Sequence, residues 1–332
     1  MRVAVVGAGS WGTAIGNLLA DRGHTVQIWA REPEVVASIN GQRENTLFLP
    51  GFELNESLRG SNDLAEVVAR SELIVTASPS HAVRDIGSRI ETALNNTSPL
   101  IVSVSKGLES ESLKPMTEVL EEVMPGRRIV ALSGPSFADE VCMRQPTTVV
   151  VASLDQDAAE AVQRAMSADT FRIYTSADPL GVQLGGALKN VIAIASGILD
   201  GLGLGYNSKS ALVTRGLAEM SRLGQALGCD PITFAGLAGV GDLLLTAFGR
   251  QSRNRSLGQE LASGRPLSEI LEERRTVAEG VRTTQAAVAL GNRCGVELPI
   301  AKEVEKILFE GKEPRQALRD LMERGLKPEQ WS

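Results

Sequence analysis

Cysteine and histidine are scarce, with three of one and two of the other in 332 residues. Cys142, Cys229 and Cys294 are widely separated, odd in number and without a C-x-x-C pair. That excludes a disulfide framework and a structural zinc site, and it fits a reducing, cytoplasmic setting. Neither His24 nor His81 has a second histidine or clustered carboxylates at ligand spacing. No metal is therefore assigned, and both read as surface or turn residues. Excess positive charge is also missing: 34 basic against 40 acidic residues leave a net charge of -6. Such a balance argues against general nucleic-acid binding, while a local cluster of basic side chains can still serve an anion. No basic stretch leads into an apolar export segment, because a strand is expected at once over Arg2–Val6, so no signal peptide is expected. The longest apolar stretch, around Val191–Ala195, is broken by Ser196 and preceded by Gln183, Lys189 and Asn190. It reads as too short and too polar to span a bilayer.

What is present is an ordinary globular composition, 43% hydrophobic and 22% charged, in a chain long enough for two cores. In the first half, short β-branched runs alternate with amphipathic stretches, the pattern of a parallel sheet covered by helices. Strands are expected at Val3–Val6, Val26–Trp29, Leu73–Ala77, Leu100–Val104, Ile129–Leu132, Thr148–Ala152 and Phe171–Tyr174. Helical windows fall between them, including Thr13–Asp21, Leu64–Ala69, Leu113–Val123 and Ala158–Ser167. Beyond Asp178-Pro179, a fitting N-cap and first helical residue, the strand signal stops and helices punctuated by glycine follow. The fold class is thus α/β: a Rossmann-like doubly wound sheet over residues 1–178, then an all-α domain over 179–332.

Directly after the first strand comes G-A-G-S-W-G, with Gly7, Gly9 and Gly12, opening a helix. Glycines there allow a tight turn and let backbone N–H groups approach a pyrophosphate at the helix N-terminus. With a strand before it and a second strand at the right distance after it, the motif points to dinucleotide binding. The second strand ends Ile28-Trp29-Ala30-Arg31-Glu32. An arginine at that place can meet a 2′-phosphate, so Arg31 favours NADP, while the adjacent Glu32 keeps NAD open.

Ligands of doubly wound sheets sit beyond the carboxyl ends of the strands, which draws attention to Ser78-Pro79-Ser80, Ser105-Lys106-Gly107 and Ser133-Gly134-Pro135-Ser136. Lys106 stands where a cation can polarise a carbonyl or hold a phosphate, and Gly134 and Ser136 offer donors; each alone is also compatible with an ordinary turn. Lys189 lies in a helix that is apolar nearly all round, so it must snorkel outward, pair, or line a cleft. Arg250-Gln251-Ser252-Arg253-Asn254-Arg255 opens a further helix, where first-turn cations are disfavoured unless an anion sits among them. Ser252 is suited to cap that helix, with Arg253 and Asn254 reaching a phosphate; a solvated charge run is the alternative. Asp242 occupies the glycine-rich Gly239-Val240-Gly241 turn, where it either orients the lysine or serves as an Asx turn or helix cap.

Taken in order, these segments carry a resemblance over nearly the whole chain. G-A-G-S-W-G-T-A from Gly7, S-K-G-L from Ser105, G-P-S-F-A from Gly134, G-A-L-K-N-V-I-A-I-A from Gly186, T-R-G-L-A-E-M from Thr214, G-L-A-G-V-G-D-L from Gly236, S-R-N-R from Ser252 and V-A-E-G-V from Val277 resemble bacterial NAD(P)-dependent glycerol-3-phosphate dehydrogenases. The resemblance implies that Ser10, Trp11, Arg31, Lys106, Ala138, Arg253, Val277 and Glu279 contact the cofactor. It further implies that Lys106, Gly134, Ser136, Lys189, Asp242, Ser252, Arg253 and Asn254 surround glycerol 3-phosphate, with Lys189 as proton acceptor. A cytoplasmic homodimer feeding phospholipid synthesis is the implied setting.

Two other readings share the cofactor motif: a dehydrogenase of hydroxy acids, which would recognise a carboxylate, and a dinucleotide sensor without turnover. One segment, Tyr206-Asn207-Ser208-Lys209-Ser210, departs from the family's usual arginine and alanines, a change expected to affect surface or packing only.

Overall fold

Buried apolar strands set the first half of the chain, as described by a computed structural model covering residues 1–94, 97–274, 278–326 and 328–329. The chain divides into two compact units: Met1–Lys106 with Pro115–Pro179, and Gly107–Lys114 with Leu180–Ser332. Gly107–Lys114 thus leaves the unit that surrounds it in sequence, and Leu108 is buried in the core of the second unit.

In the first unit the strands are β1 (Arg2–Val6), β2 (Thr25–Trp29), β3 (Arg59–Ser61), β4 (Leu73–Thr76), β5 (Leu100–Ser103), β6 (Ile129–Ser133), β7 (Thr147–Ala152) and β8 (Phe171–Ser176). They form one sheet in the order β3-β2-β1-β4-β5-β6-β7-β8. The order reverses beside β1, as a doubly wound sheet requires. Alternate residues of each strand feed separate cores. Val3, Val5, Val75 and Val102 pack with Ile15, Leu19 and Ile39 on one face, while Ala4, Val6, Ile74 and Ile101 pack with Ile86, Ile90 and Leu120 on the other. Burial on both faces is why these strands read as continuous apolar runs instead of alternating ones.

Three expectations need correction. Strand β7 pairs antiparallel with β6, and β8 follows β7 in parallel, so the sheet is mixed. A parallel return usually runs through a full helix, whereas the β6–β7 connection carries only the short helix Ala138–Cys142. Strand β3, Arg-Gly-Ser, carries no apolar residue and escaped the periodicity reading. The window from Leu113 starts its helix only at Met116, because Leu113 has a left-handed φ of 62° and Pro115 is the N-cap.

Among the described residues after Leu180 the second unit is helical. At its centre runs the helix Pro179–Gly201, buried on every side from Gly181 to Leu199. With 23 residues it is longer than the apolar stretch noticed in sequence, and it is long and apolar enough to cross a membrane; all of its apolar window is instead buried inside the fold. Leu184, Val191, Ile194 and Ile198 pack there with Leu223, Phe234, Leu243, Leu257 and Val288.

Candidate active site

In the sheet unit the glycine loop follows β1. Gly7 has φ of 116°, and a Cβ there would stand 2.7 Å from the Ala77 carbonyl oxygen. A Cβ on Gly12 would overlap the Gly7 carbonyl, whereas one on Gly9 would meet nothing within 4 Å. Two glycines therefore close the turn, and the third leaves its outer side open for a ligand to approach. Gly9 is the N-cap of the helix Ser10–Asp21, which has no side-chain cap and no acidic residue in its first turn. Its first N–H groups thus keep a positive field free of a competing carboxylate. The Trp11 indole nitrogen is buried and unpartnered, an orphaned donor at the same turn. Together these features fit the pyrophosphate end of a dinucleotide. Ser10 Oγ donates to the Phe48 carbonyl at 2.5 Å, tying the loop to the following segment. At the end of β2, Arg31 donates to Glu32 Oε1 from Nε at 3.0 Å and Nη2 at 2.7 Å, and its side chain is 84% exposed.

Beyond β5 and β6, three residues singled out in the sequence come together. Lys106 Nζ and Ser136 Oγ both donate to the Gly134 carbonyl, each at 3.0 Å. Ser105 Oγ donates to Ser78 O at 2.5 Å, joining the ends of β4 and β5. Ala138 is the first residue of the short helix after that loop.

In the helical unit Lys189 resolves its burial by pairing. Its Nζ donates to Asp242 Oδ1 and, at 2.9 Å, to Thr246 Oγ1. Asp242 is completely buried and begins the helix Asp242–Phe248, and Thr246, one turn later, donates to the Asp242 carbonyl at 2.7 Å. Gly185 makes the pairing possible: a Cβ there would overlap the Ala238 carbonyl, so the lysine helix touches the turn before Asp242 backbone to backbone.

Ser252 caps the helix Arg253–Ala262, accepting from Arg255 N at 3.2 Å. Asn254 Nδ2 donates to Asn190 Oδ1, the neighbour of Lys189, and Asn254 Oδ1 accepts from Gly280 N, both at 3.0 Å. The lysine, the capped end and the helix Glu279–Cys294 are thereby held in one register. Arg253 is open to solvent yet crowded by protein on several sides. Withdrawal from water lowers its guanidinium pKa, Glu279 acts in the opposite sense, and Arg274 adds to the lowering. The guanidinium stays within reach of a ligand from solvent. An exposed cation beside a capped helix N-terminus is chemically suited to receive an anion.

Residues 2–159 match the family described as NAD-dependent glycerol-3-phosphate dehydrogenase N-terminus, and residues 178–319 match that enzyme's C-terminus. The chain belongs to this family. It is 50% identical over 331 residues to the glycerol-3-phosphate dehydrogenase [NAD(P)+] of Citrifermentans bemidjiense, covering 99% of this chain and 98% of that one. Among solved structures, the glycerol-3-phosphate dehydrogenase of Coxiella burnetii superposes with a TM-score of 0.93 at 35% identity, covering 97% of this chain and 98% of that chain. The enzyme from Saccharomyces cerevisiae gives 0.81 at 26%, covering 98% and 99%.

As a member of the glycerol-3-phosphate dehydrogenase family the chain is an oxidoreductase using NAD(P). Two side chains of its helical unit went unassigned in the sequence, Thr246 and Asn190. Thr246 lies four residues after Asp242, on the same helix face, and Asn190 adjoins the lysine; the i,i+4 spacing was the available signal for the first. Val277 falls outside the described residues, while Glu279 opens its helix and acts electrostatically on Arg253. Among the described residues no group of three or more His, Cys, Asp or Glu side chains could hold a metal ion.

Proposed function

We propose that the chain interconverts dihydroxyacetone phosphate and sn-glycerol 3-phosphate, with Lys189 as the proton donor and acceptor. The observation that carries this reading is the buried Lys189 Nζ held between Asp242 and Thr246, on a helix bonded through Asn190 to the Ser252–Asn254 anion end. A bound nicotinamide supplies or takes the hydride. In the reducing direction the ketone oxygen gains negative charge, which the Lys189 ammonium stabilises before giving up its proton. Asp242 fixes the ammonium and, as its counter-ion, favours the return of Lys189 to the charged form by a proton taken from solvent after the product leaves. Ser252, Arg253 and Asn254 hold the phosphate, so the carbon chain is oriented before reaction. Lys106, Gly134 and Ser136 contribute to substrate binding, and Gly7, Gly9, Ser10, Trp11, Gly12, Arg31, Lys106, Ala138, Arg253, Val277 and Glu279 to cofactor binding. Residues 1–178 serve as the dinucleotide domain and 179–332 as the substrate domain. NADP is the favoured cofactor because of Arg31. The product feeds glycerophospholipid synthesis, in a cytoplasmic homodimer.

The test is NADPH and, separately, NADH oxidation with dihydroxyacetone phosphate, for wild type and Lys189→Ala. Rapid oxidation by wild type and a loss of at least about 100-fold in the variant are expected. No turnover with either cofactor would overturn the substrate reading, and turnover of small hydroxy acids in its place would favour a hydroxy-acid dehydrogenase. A dinucleotide sensor would bind cofactor without turnover and would tolerate Lys189→Ala.

A further inference from the structure

One carboxylate that has no role assigned above touches the ends of the helices that carry the site. Asp200 lies in the last turn of the helix Pro179–Gly201, which bears Lys189. Its carboxylate accepts from Lys209 Nζ with both oxygens, at 3.0 and 2.9 Å, and from Arg255 Nε at 2.5 Å. Arg255 sits in the first turn of the anion-end helix, directly after Arg253 and Asn254, and its backbone N–H is the group capped by Ser252. Lys209 sits in the first turn of the helix Tyr206–Ala226, and its ammonium lies 4.7 Å from the ring centre of Phe248, the last residue of the helix that begins with Asp242. All three charged side chains are largely withdrawn from solvent, at 18% exposure for Asp200, 16% for Arg255 and 6% for Lys209. The segment expected to alter only surface or packing therefore places a buried cation in this cluster.

Backbone contact explains why the cluster can set geometry. A Cβ on Gly197 would overlap the Arg255 carbonyl, and one on Gly258 would overlap the Ile194 carbonyl, so the two helices meet with no side chain between them. Ser196 Oγ adds a bond to the Ala247 carbonyl at 2.8 Å. Close packing and the Asn254–Asn190 bond set the register of these helices, and charged hydrogen bonds, being directional and strong, add to its precision. We propose that Asp200, with Arg255 and Lys209, is a positioning element that fixes the Ser252–Asn254 phosphate end relative to Lys189. The inference rests on the reading of Ser252–Asn254 as the phosphate end. Asp200 touches no substrate atom in this account; it acts through Arg255.

Initial-rate kinetics with dihydroxyacetone phosphate and NADPH, with thermal unfolding measured alongside, test the idea on the intact enzyme. Asp200→Asn keeps the shape and removes the charge; at temperatures where it is folded, the KM for dihydroxyacetone phosphate is expected to rise about tenfold, with kcat within about threefold and the KM for NADPH unchanged. Lys209→Met is expected to raise the same KM by a smaller factor, and Lys209→Arg to restore it. A folded Asp200→Asn with wild-type KM, or a loss confined to kcat, or Lys209→Arg as damaged as Lys209→Met, overturns the proposal. Should Asp200→Asn fail to fold, an unchanged KM in Lys209→Met overturns it equally. Absence of turnover in wild type would instead remove the substrate reading beneath it, and is seen before any variant is compared.

Discussion

The hydroxyl of Thr246 stands between Lys189 Nζ, 2.9 Å away, and the backbone carbonyl of Asp242, 2.7 Å away. It accepts from the first and donates to the second, so its proton position is fixed and its lone pair faces the ammonium. Thr246→Val keeps the volume and removes both bonds. A fall in kcat of about tenfold is expected, corresponding to roughly one net hydrogen bond, with the KM for dihydroxyacetone phosphate little changed. Steady-state rates decide it; a KM effect alone would mean that the hydroxyl serves binding.

Asp242 is the counter-ion of a buried lysine. Asp242→Asn leaves that ammonium without charge compensation in a dry site, so a stability loss of about 3 kcal/mol and a fall in kcat of about 100-fold are expected. Chemical unfolding measures the first and NADPH oxidation the second. Retained activity would show that Lys189 does not need this partner for its chemistry.

The Arg31 guanidinium fork donates to Glu32 Oε1 through Nε and Nη2. A 2′-phosphate competes for the same donors with more charge. Glu32→Gln is expected to lower the KM for NADPH several-fold, on the order of the strength of one exposed pair, and to raise the KM for NADH, because the carboxylate suited to the adenosine ribose is lost. Arg31→Ala is expected to raise the KM for NADPH about tenfold and to spare NADH. Equal effects on both cofactors would remove Arg31 from the discrimination.

Glu219 gives the fold a pH signature. Burial pushes its carboxyl up to about 7, against the opposing pull of the Ile300 and Ala301 amides that it accepts from at 2.7 and 3.3 Å. Because the folded value lies above the ordinary 4.5, the folded state holds this proton more tightly than the unfolded state does. Its contribution to stability is therefore fully present below pH 4.5 and is lost as pH rises through about 7, a change of about 3 kcal/mol. Tm followed from pH 5 to 8 should fall less steeply in Glu219→Gln than in wild type. Parallel curves would show that Glu219 titrates normally.

Fold class was legible because it rests on burial. Strands such as Leu-Ile-Val-Thr in β4 are almost wholly apolar and buried throughout, and the glycine fingerprint follows the first strand. Direction was not legible: Thr147–Ala152 reads as a buried strand whichever way it runs, and its register with β6 is settled only in the folded sheet. The arginine cluster was legible because first-turn cations contradict the helix dipole. Thr246 and Asn190 break no local rule and gain meaning only once the helices have packed. The same holds for Asp200, whose two partners lie nine and fifty-five positions further along the chain.

Strands β1 and β4 lie inside the sheet, paired on both edges and covered on both faces. Amides placed so are released to hydrogen exchange only through the largest openings of a fold. The loop at Gly7 hangs directly from β1, and its glycine backs onto Ala77 just past β4. On the proposed reading of this loop as the nucleotide end, the cofactor would meet a backbone already set by the most persistent part of the sheet and would lose little affinity to ordering the chain.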